Sequence, residues 1–164
     1  MLESRTLFVV APGQADESAP VLNELKRPLS RRGVTEVLTL LEDLKEYPIR
    51  LPELILCSPS LYVKQTLDLL HEVLGSVDVV YKDALYAASD YRILEIIKSL
   101  DDIFSTVMLI GELPGVREFV SHVAKGQAGC LVRPATGVSL TLTKGETWHT
   151  LANQKAVCRP LIKD

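Results

Sequence analysis

Apolar residues fall into two alternating kinds of pattern along this chain. Residues 7–10, 54–57, 77–81 and 107–110 are short runs rich in Val, Ile and Leu without polar alternation. Strands covered by helices on both sides must be apolar on both faces, so these runs predict the core strands of one sheet. Between them lie stripes at helical spacing: Val34, Val37, Leu38, Leu41 and Leu44; Val63, Leu67, Leu70 and Leu74; Ile93, Ile97 and Leu100; Val116, Phe119, Val120 and Val123. Strands interleaved in this way with amphipathic helices predict a three-layer α/β/α arrangement around a mostly parallel sheet. The C-terminal third differs. Val138, Leu140 and Leu142 alternate with Ser139, Thr141 and Thr143, and a Lys144-Gly145-Glu146 turn leads to Trp148 and Leu151. This pattern predicts an antiparallel edge hairpin that closes the sheet.

Composition narrows the class. A chain of 164 residues that is 47% hydrophobic can close one sizeable core, which predicts a single domain over residues 1–164. Lys and Arg number 18 against 21 Asp and Glu, a net charge of −3 with no long run of either sign, which argues against nucleic-acid or membrane-surface binding. The start, Met1-Leu2-Glu3-Ser4-Arg5, lacks the pattern of a signal peptide, and no segment approaches the roughly 20 apolar residues of a membrane span. A soluble, cytoplasmic protein is the expectation. Cys57, Cys130 and Cys158 are odd in number and widely spaced, which predicts reduced thiols rather than a disulfide framework or a zinc site. Residues 14–26 form a long mixed connection before the first helix, a length often associated with function or mobility.

Open α/β sheets bind ligands beyond the carboxyl ends of their strands. There, the first strand runs into Ala11-Pro12-Gly13, the second into Ser58-Pro59, and the fourth into Gly111-Glu112-Leu113-Pro114-Gly115. Ser58 followed by proline predicts a helix N-cap, Ser30 a cap of the first long helix, and Pro114 the start of the fourth. Helix N-termini at such a mouth could hold an anion.

The segments LFVV-APGQAD, RPLSRRG, LILCSPSLYVKQT, DALYAAS and VMLIGELPGVRE, in this order, resemble the SixA-type phosphohistidine phosphatases of the histidine phosphatase (phosphoglycerate mutase-like) superfamily. The similarity runs over roughly residues 5–120 and more loosely to the C-terminal hairpin. It implies a phosphoglycerate mutase-like fold and a pocket built for phosphate. The departures lie in that pocket. The resemblance places Ala11 and Pro12 where the family has an arginine and the histidine nucleophile, Tyr62 where it has a second arginine, and Glu112 where it has a second histidine. The acidic proton donor of some relatives falls on Ala87.

These losses are not conservative. Proline offers no nucleophile, so no phosphoenzyme can form at Pro12. Each lost charge-assisted hydrogen bond weakens phosphate binding by about 1.5 to 3 kcal/mol. A Glu112 carboxylate about 4 Å from a phosphate charge opposes it by about 4 kcal/mol at an effective dielectric near 20. A displaced anion site could use Gly13, Arg27, Arg31, Arg32, Ser58 or Lys64, although solvated surface cations are the simpler reading of the charged ones. Tyr62 and Glu112 are also placed to hydrogen-bond each other across the vacated pocket, and a lone carboxylate there could serve as an acid or base. Cys57, beside Ser58, fits a buried inert thiol better than a nucleophile. His71, His122 and His149 lack ligand spacing, and nothing calls for a metal or a cofactor.

Three functions follow. The favoured one is a binding or regulatory module that has lost phosphatase activity and takes a protein partner or a small anionic ligand. The others are a phosphohistidine or phosphomonoester phosphatase with relocated or residual activity, and a structural protein-interaction subunit. The sequence fixes no oligomeric state.

Overall fold

In a computed structural model, which describes residues 4–153 and 156–161, the two periodicities become one six-stranded sheet flanked by four α-helices. The strands are β1 (Thr6–Val10), β2 (Leu54–Cys57), β3 (Asp78–Tyr81), β4 (Thr106–Ile110), β5 (Gly137–Thr141) and β6 (Val157–Pro160). The helices are α1 (Arg31–Glu46), α2 (Leu61–Leu74), α3 (Asp90–Lys98) and α4 (Gly115–Ala124). The sheet order is β3-β2-β4-β1-β5-β6. β1 to β4 are mutually parallel, whereas β5 runs antiparallel to β1 and β6 antiparallel to β5. Met1 to Glu3, the start of the segment searched for a targeting signal, lie outside the described residues.

Alternation within each strand divides the core. Leu7, Val9, Leu54, Leu56, Val107 and Leu109 pack with α3, α4 and Trp148 on one face. Phe8, Val10, Ile55, Cys57, Met108 and Ile110 pack with α1 and α2 on the other. Both faces being covered explains why residues 7–10, 54–57 and 107–110 carry apolar side chains without alternation. Trp148, in the short 3-10 segment Trp148–Asn153, is fully buried and donates its indole N–H to the Phe104 carbonyl at 2.9 Å.

Three local expectations are corrected. β3 is an edge strand, and Val80 and Tyr81 are exposed, so its apolar run does not mark a strand covered on both sides. On α1, Leu38 is exposed and Leu40 buried, because the buried face of the helix is centred on Val37, Leu40, Leu41 and Leu44. Cys130 and Cys158 are not free thiols: they form a disulfide, with Cα atoms 6.2 Å apart. Their 28-residue separation concealed this pairing, which depends on β6 returning beside the segment that follows α4. Gln127 reinforces the junction. Its Nε2 donates to the Ala124 and Ala156 carbonyls and its Oε1 accepts from the Cys158 N–H.

Among the described residues no helix is long and apolar enough to cross a membrane. The disulfide also removes the cysteine argument for a reducing compartment, because disulfides persist mainly in oxidising ones.

The disulfide generates a prediction. Closing a loop of 28 residues restricts the unfolded chain, so replacing Cys130 and Cys158 by serine should lower the unfolding free energy by about 3 to 4 kcal/mol. Urea denaturation, together with amide exchange at β6, measures this. An unchanged midpoint would show that Gln127 and the sheet hold β6 without the covalent link.

Candidate functional site

The parallel strands deliver their ends to one mouth. β1 continues into Ala11, whose N–H donates to the Thr136 carbonyl at 2.9 Å, and Pro12, whose carbonyl accepts from the Ala135 N–H at 2.9 Å. Both residues are buried. Gly13 follows, packed against the first turn of α1: a Cβ there would lie 2.5 Å from the Gly33 carbonyl oxygen, so only glycine permits this approach. The Gly13 N–H donates to Thr66 Oγ1 at 3.2 Å, joining the loop to α2.

At the end of β2, Ser58 and Ser60 are fully buried, and Ser60 rather than Ser58 takes the N-cap position of α2. Its side chain does not cap the helix. Instead, Ser60 Oγ donates to Glu112 Oε1 at 2.8 Å. The same oxygen accepts the Tyr62 hydroxyl at 3.3 Å. Glu112 Oε2 accepts the Ala87 N–H at 2.6 Å and Ser58 Oγ at 3.3 Å. The carboxylate of a half-buried residue is therefore ringed by four donors from the β2–α2 junction, α2 and the loop before α3.

Ala87 is held with φ +48°, a left-handed conformation that costs a residue bearing a Cβ about 1 to 2 kcal/mol. A short charge-assisted N–H···O bond is the kind of contact that offsets such a cost. Burial, followed by the adjacent Glu112 carboxylate, pushes the Tyr62 hydroxyl well above the usual phenol range, so Tyr62 is a neutral donor.

The sequence-predicted cations do not assemble around this point. Arg27 binds both Glu24 oxygens, at 2.9 and 2.8 Å, and donates to the Asp16 and Ala19 carbonyls, which makes it a strut of the 14–26 connection. Lys64 lies 5.0 Å from the centroid of the Tyr81 ring, toward the outer strand. Arg31 and Arg32 are exposed at the start of α1, where Ser30 caps the Gly33 N–H at 2.9 Å. Pro114 is the N-cap of α4 rather than its first helical residue. The first turn of α2 is likewise engaged, since the Tyr62 N–H donates to the Arg27 carbonyl and the Val63 N–H to that of Ser60.

Cys57 is fully buried, its Sγ lies 3.3 Å from the Ser58 carbonyl oxygen, and burial pushes its pKa up to about 12. It is a thiol, not a thiolate nucleophile. His122 Nδ1 stands 3.4 Å from an Asp90 oxygen, and no cluster of three or more metal-ligating side chains occurs among the described residues.

Tyr62, which bonds Glu112, also lines a cleft of about 190 Å³ together with Pro12, Gly13, Gln14, Ala15, Glu17, Leu113 and Pro134. Sequence reasoning missed Ser60, the Ala87 N–H, Glu17, Leu113 and Pro134. Ser60 could have been found from its two-residue spacing to Ser58 at a strand end. A backbone amide leaves no such signal.

The ring of donors predicts a graded mutational response. Glu112→Gln keeps the shape but loses the charge, and should cost about 1.5 to 3 kcal/mol of unfolding free energy. Glu112→Leu leaves buried Ser58 and Ser60 hydroxyls without their acceptor, and should cost about 3 to 5 kcal/mol. Chemical denaturation tests this order; equal or negligible losses would mean the carboxylate is not a structural acceptor.

No protein-family model and no curated protein matches the sequence. Solved structures do resemble this one. A protein assigned as the phosphohistidine phosphatase SixA from Nakamurella multipartitia superposes with TM-score 0.79 at 22% identity, covering 96% of this chain and 94% of that one. The protein histidine phosphatase SixA complexed with tungstate gives TM-score 0.74 at 20% identity, covering 94% of each chain. The alpha-ribazole phosphatase from Shigella flexneri gives 0.67 at 13% identity, covering 96% of each. Similarity at these identities establishes architecture: the chain has the phosphoglycerate mutase-like α/β fold of the histidine phosphatases, with SixA proteins among its structural neighbours.

Proposed function

We propose that this protein is a binding or regulatory module on a histidine phosphatase fold and does not carry out histidine-based phosphoryl transfer. The observation that supports this reading most is the Glu112 carboxylate, held by Ser58, Ser60, Tyr62 and Ala87 at the mouth of the sheet. An anion cradle filled by the protein's own carboxylate has no room for a second anion. Displacing Glu112 would require the four donors to exchange partners. Leaving it in place sets like charges about 4 Å apart, a cost of about 4 kcal/mol at an effective dielectric near 20.

The nucleophile is missing for an independent reason. Pro12 lies at the end of β1, is buried, and has no group able to attack phosphorus. The cations that could have replaced the lost arginines are engaged at Glu24 and Tyr81 or face solvent at the start of α1. A phosphomonoester or phosphohistidine hydrolase on this scaffold would need both a new nucleophile and a new oxyanion site.

Hydrolysis of p-nitrophenyl phosphate and of a phosphohistidine protein, assayed in parallel for the native protein and Glu112→Gln, tests the reading. Neither protein should turn over substrate above the buffer rate. Inorganic phosphate at millimolar concentration should leave the native melting temperature unchanged, since stabilisation by a ligand grows as RT ln(1 + [L]/Kd). Native turnover that disappears in Glu112→Gln would contradict the proposal.

A further inference from the structure

The cleft beside Tyr62 has the lining for a ligand of the opposite sign from phosphate. Pro12, Ala15, Leu113, Pro134 and Tyr62 supply mostly apolar walls, and Glu17, an exposed acidic residue, belongs to the same lining. Glu112, outside the lining, accepts the hydroxyl of Tyr62 at 3.3 Å. Glu112, Glu17 and Tyr86 all act on that hydroxyl in the direction that keeps it protonated. Arg27, whose field reaches Glu17, is turned to Glu24 and to two loop carbonyls. Arg133 is the neighbouring cation to consider, exposed and next in sequence to Pro134.

We propose that this cleft receives the arginine or lysine side chain of a partner protein, its aliphatic stem against Pro12, Leu113 and Pro134 and its charged end between the Tyr62 ring and Glu17. The inference rests on the reading of the protein as a binding module and assigns the chemistry of what is bound. Size favours a side chain over a free metabolite. About 190 Å³ is small beside the roughly 300 to 1,000 Å³ of ordinary small-molecule pockets. A long side chain with an apolar stem and a cationic head matches apolar walls that end at a carboxylate, and a tyrosine face adds a favourable surface for a guanidinium. Glu17 in the lining and Glu112 bonded to the Tyr62 hydroxyl give the cleft a potential that attracts cations.

The test titrates the isotope-labelled, full-length protein with an acetylated, amidated glycine-arginine-glycine peptide and with its citrulline counterpart, which has nearly the same shape without the charge. Amide shifts at Gly13, Gln14, Glu17 and Tyr62 are followed by NMR. The arginine peptide should move these amides and bind at least roughly tenfold tighter than the citrulline peptide. Glu17→Gln, an exposed change that leaves the core intact, should weaken arginine binding about threefold or more. Arg133→Gln should leave it unchanged or tighten it.

Equal affinity for the two peptides, no shift with the arginine peptide up to about 10 mM, or unaltered affinity in Glu17→Gln overturns the proposal. So does inorganic phosphate moving the same amides in a manner abolished by Arg133→Gln, which would make the cleft an anion site. Failure of the arginine peptide with hydrolysis still absent removes the ligand assignment alone. Hydrolysis by the native protein removes the reading on which it rests.

Discussion

A carboxylate with four hydrogen-bond donors holds the mouth of this sheet together. Glu112 leaves the end of β4 and accepts from Ser58 and Ser60 beyond β2, from Tyr62 on α2, and from the backbone of Ala87 before α3. These segments pack against opposite faces of the sheet, so the contact spans the layers at the point where the strand order reverses. Two of the donors are fully buried hydroxyls, which need an acceptor in the folded state. A third, Ala87, adopts a backbone conformation that the contact stabilises. Even the N-cap serine of α2 turns from its helix to the carboxylate.

With the centre occupied by a negative charge, the surrounding polar groups do structural work. Arg27 organises the 14–26 connection through Glu24 and the Asp16 and Ala19 carbonyls. Gln14 and Gln65 fasten the same region, the first to Glu36 and the second to the Leu29 N–H. Phosphate recognition uses several convergent cations or free amides; here Arg27 binds Glu24, Lys64 lies near the Tyr81 ring, and Arg31 and Arg32 are exposed at the start of α1. What the mouth still offers is the apolar cleft with Glu17, next to the filled cradle.

Much of this was legible in the chain. Uninterrupted apolar runs identified β1, β2 and β4, and the alternation from Val138 to Leu142 identified β5, because burial on two faces and on one face leave different periods. β3 misled because an edge strand can carry apolar side chains without being covered. In the site, Glu112 and Pro12 could be named from their places after strands and Tyr62 from the family resemblance, and the Tyr62 to Glu112 hydrogen bond is present. Arg27 as an anion ligand could not be judged, since its partners lie in a loop whose path no local pattern specifies. The Ala87 amide and the Cys130–Cys158 link depend on tertiary proximity alone.

Occupancy of the cradle is the claim on which the functional reading turns, and a tungstate-soaked crystal of the native protein measures it directly. Tungstate is a phosphate-like oxyanion known in complex with one of the structural neighbours. The account predicts that Glu112 keeps its contacts to Ser58, Ser60, Tyr62 and Ala87 and that no tungstate density appears among them. Tungstate bound by those donors, with the Glu112 side chain turned out, would contradict it.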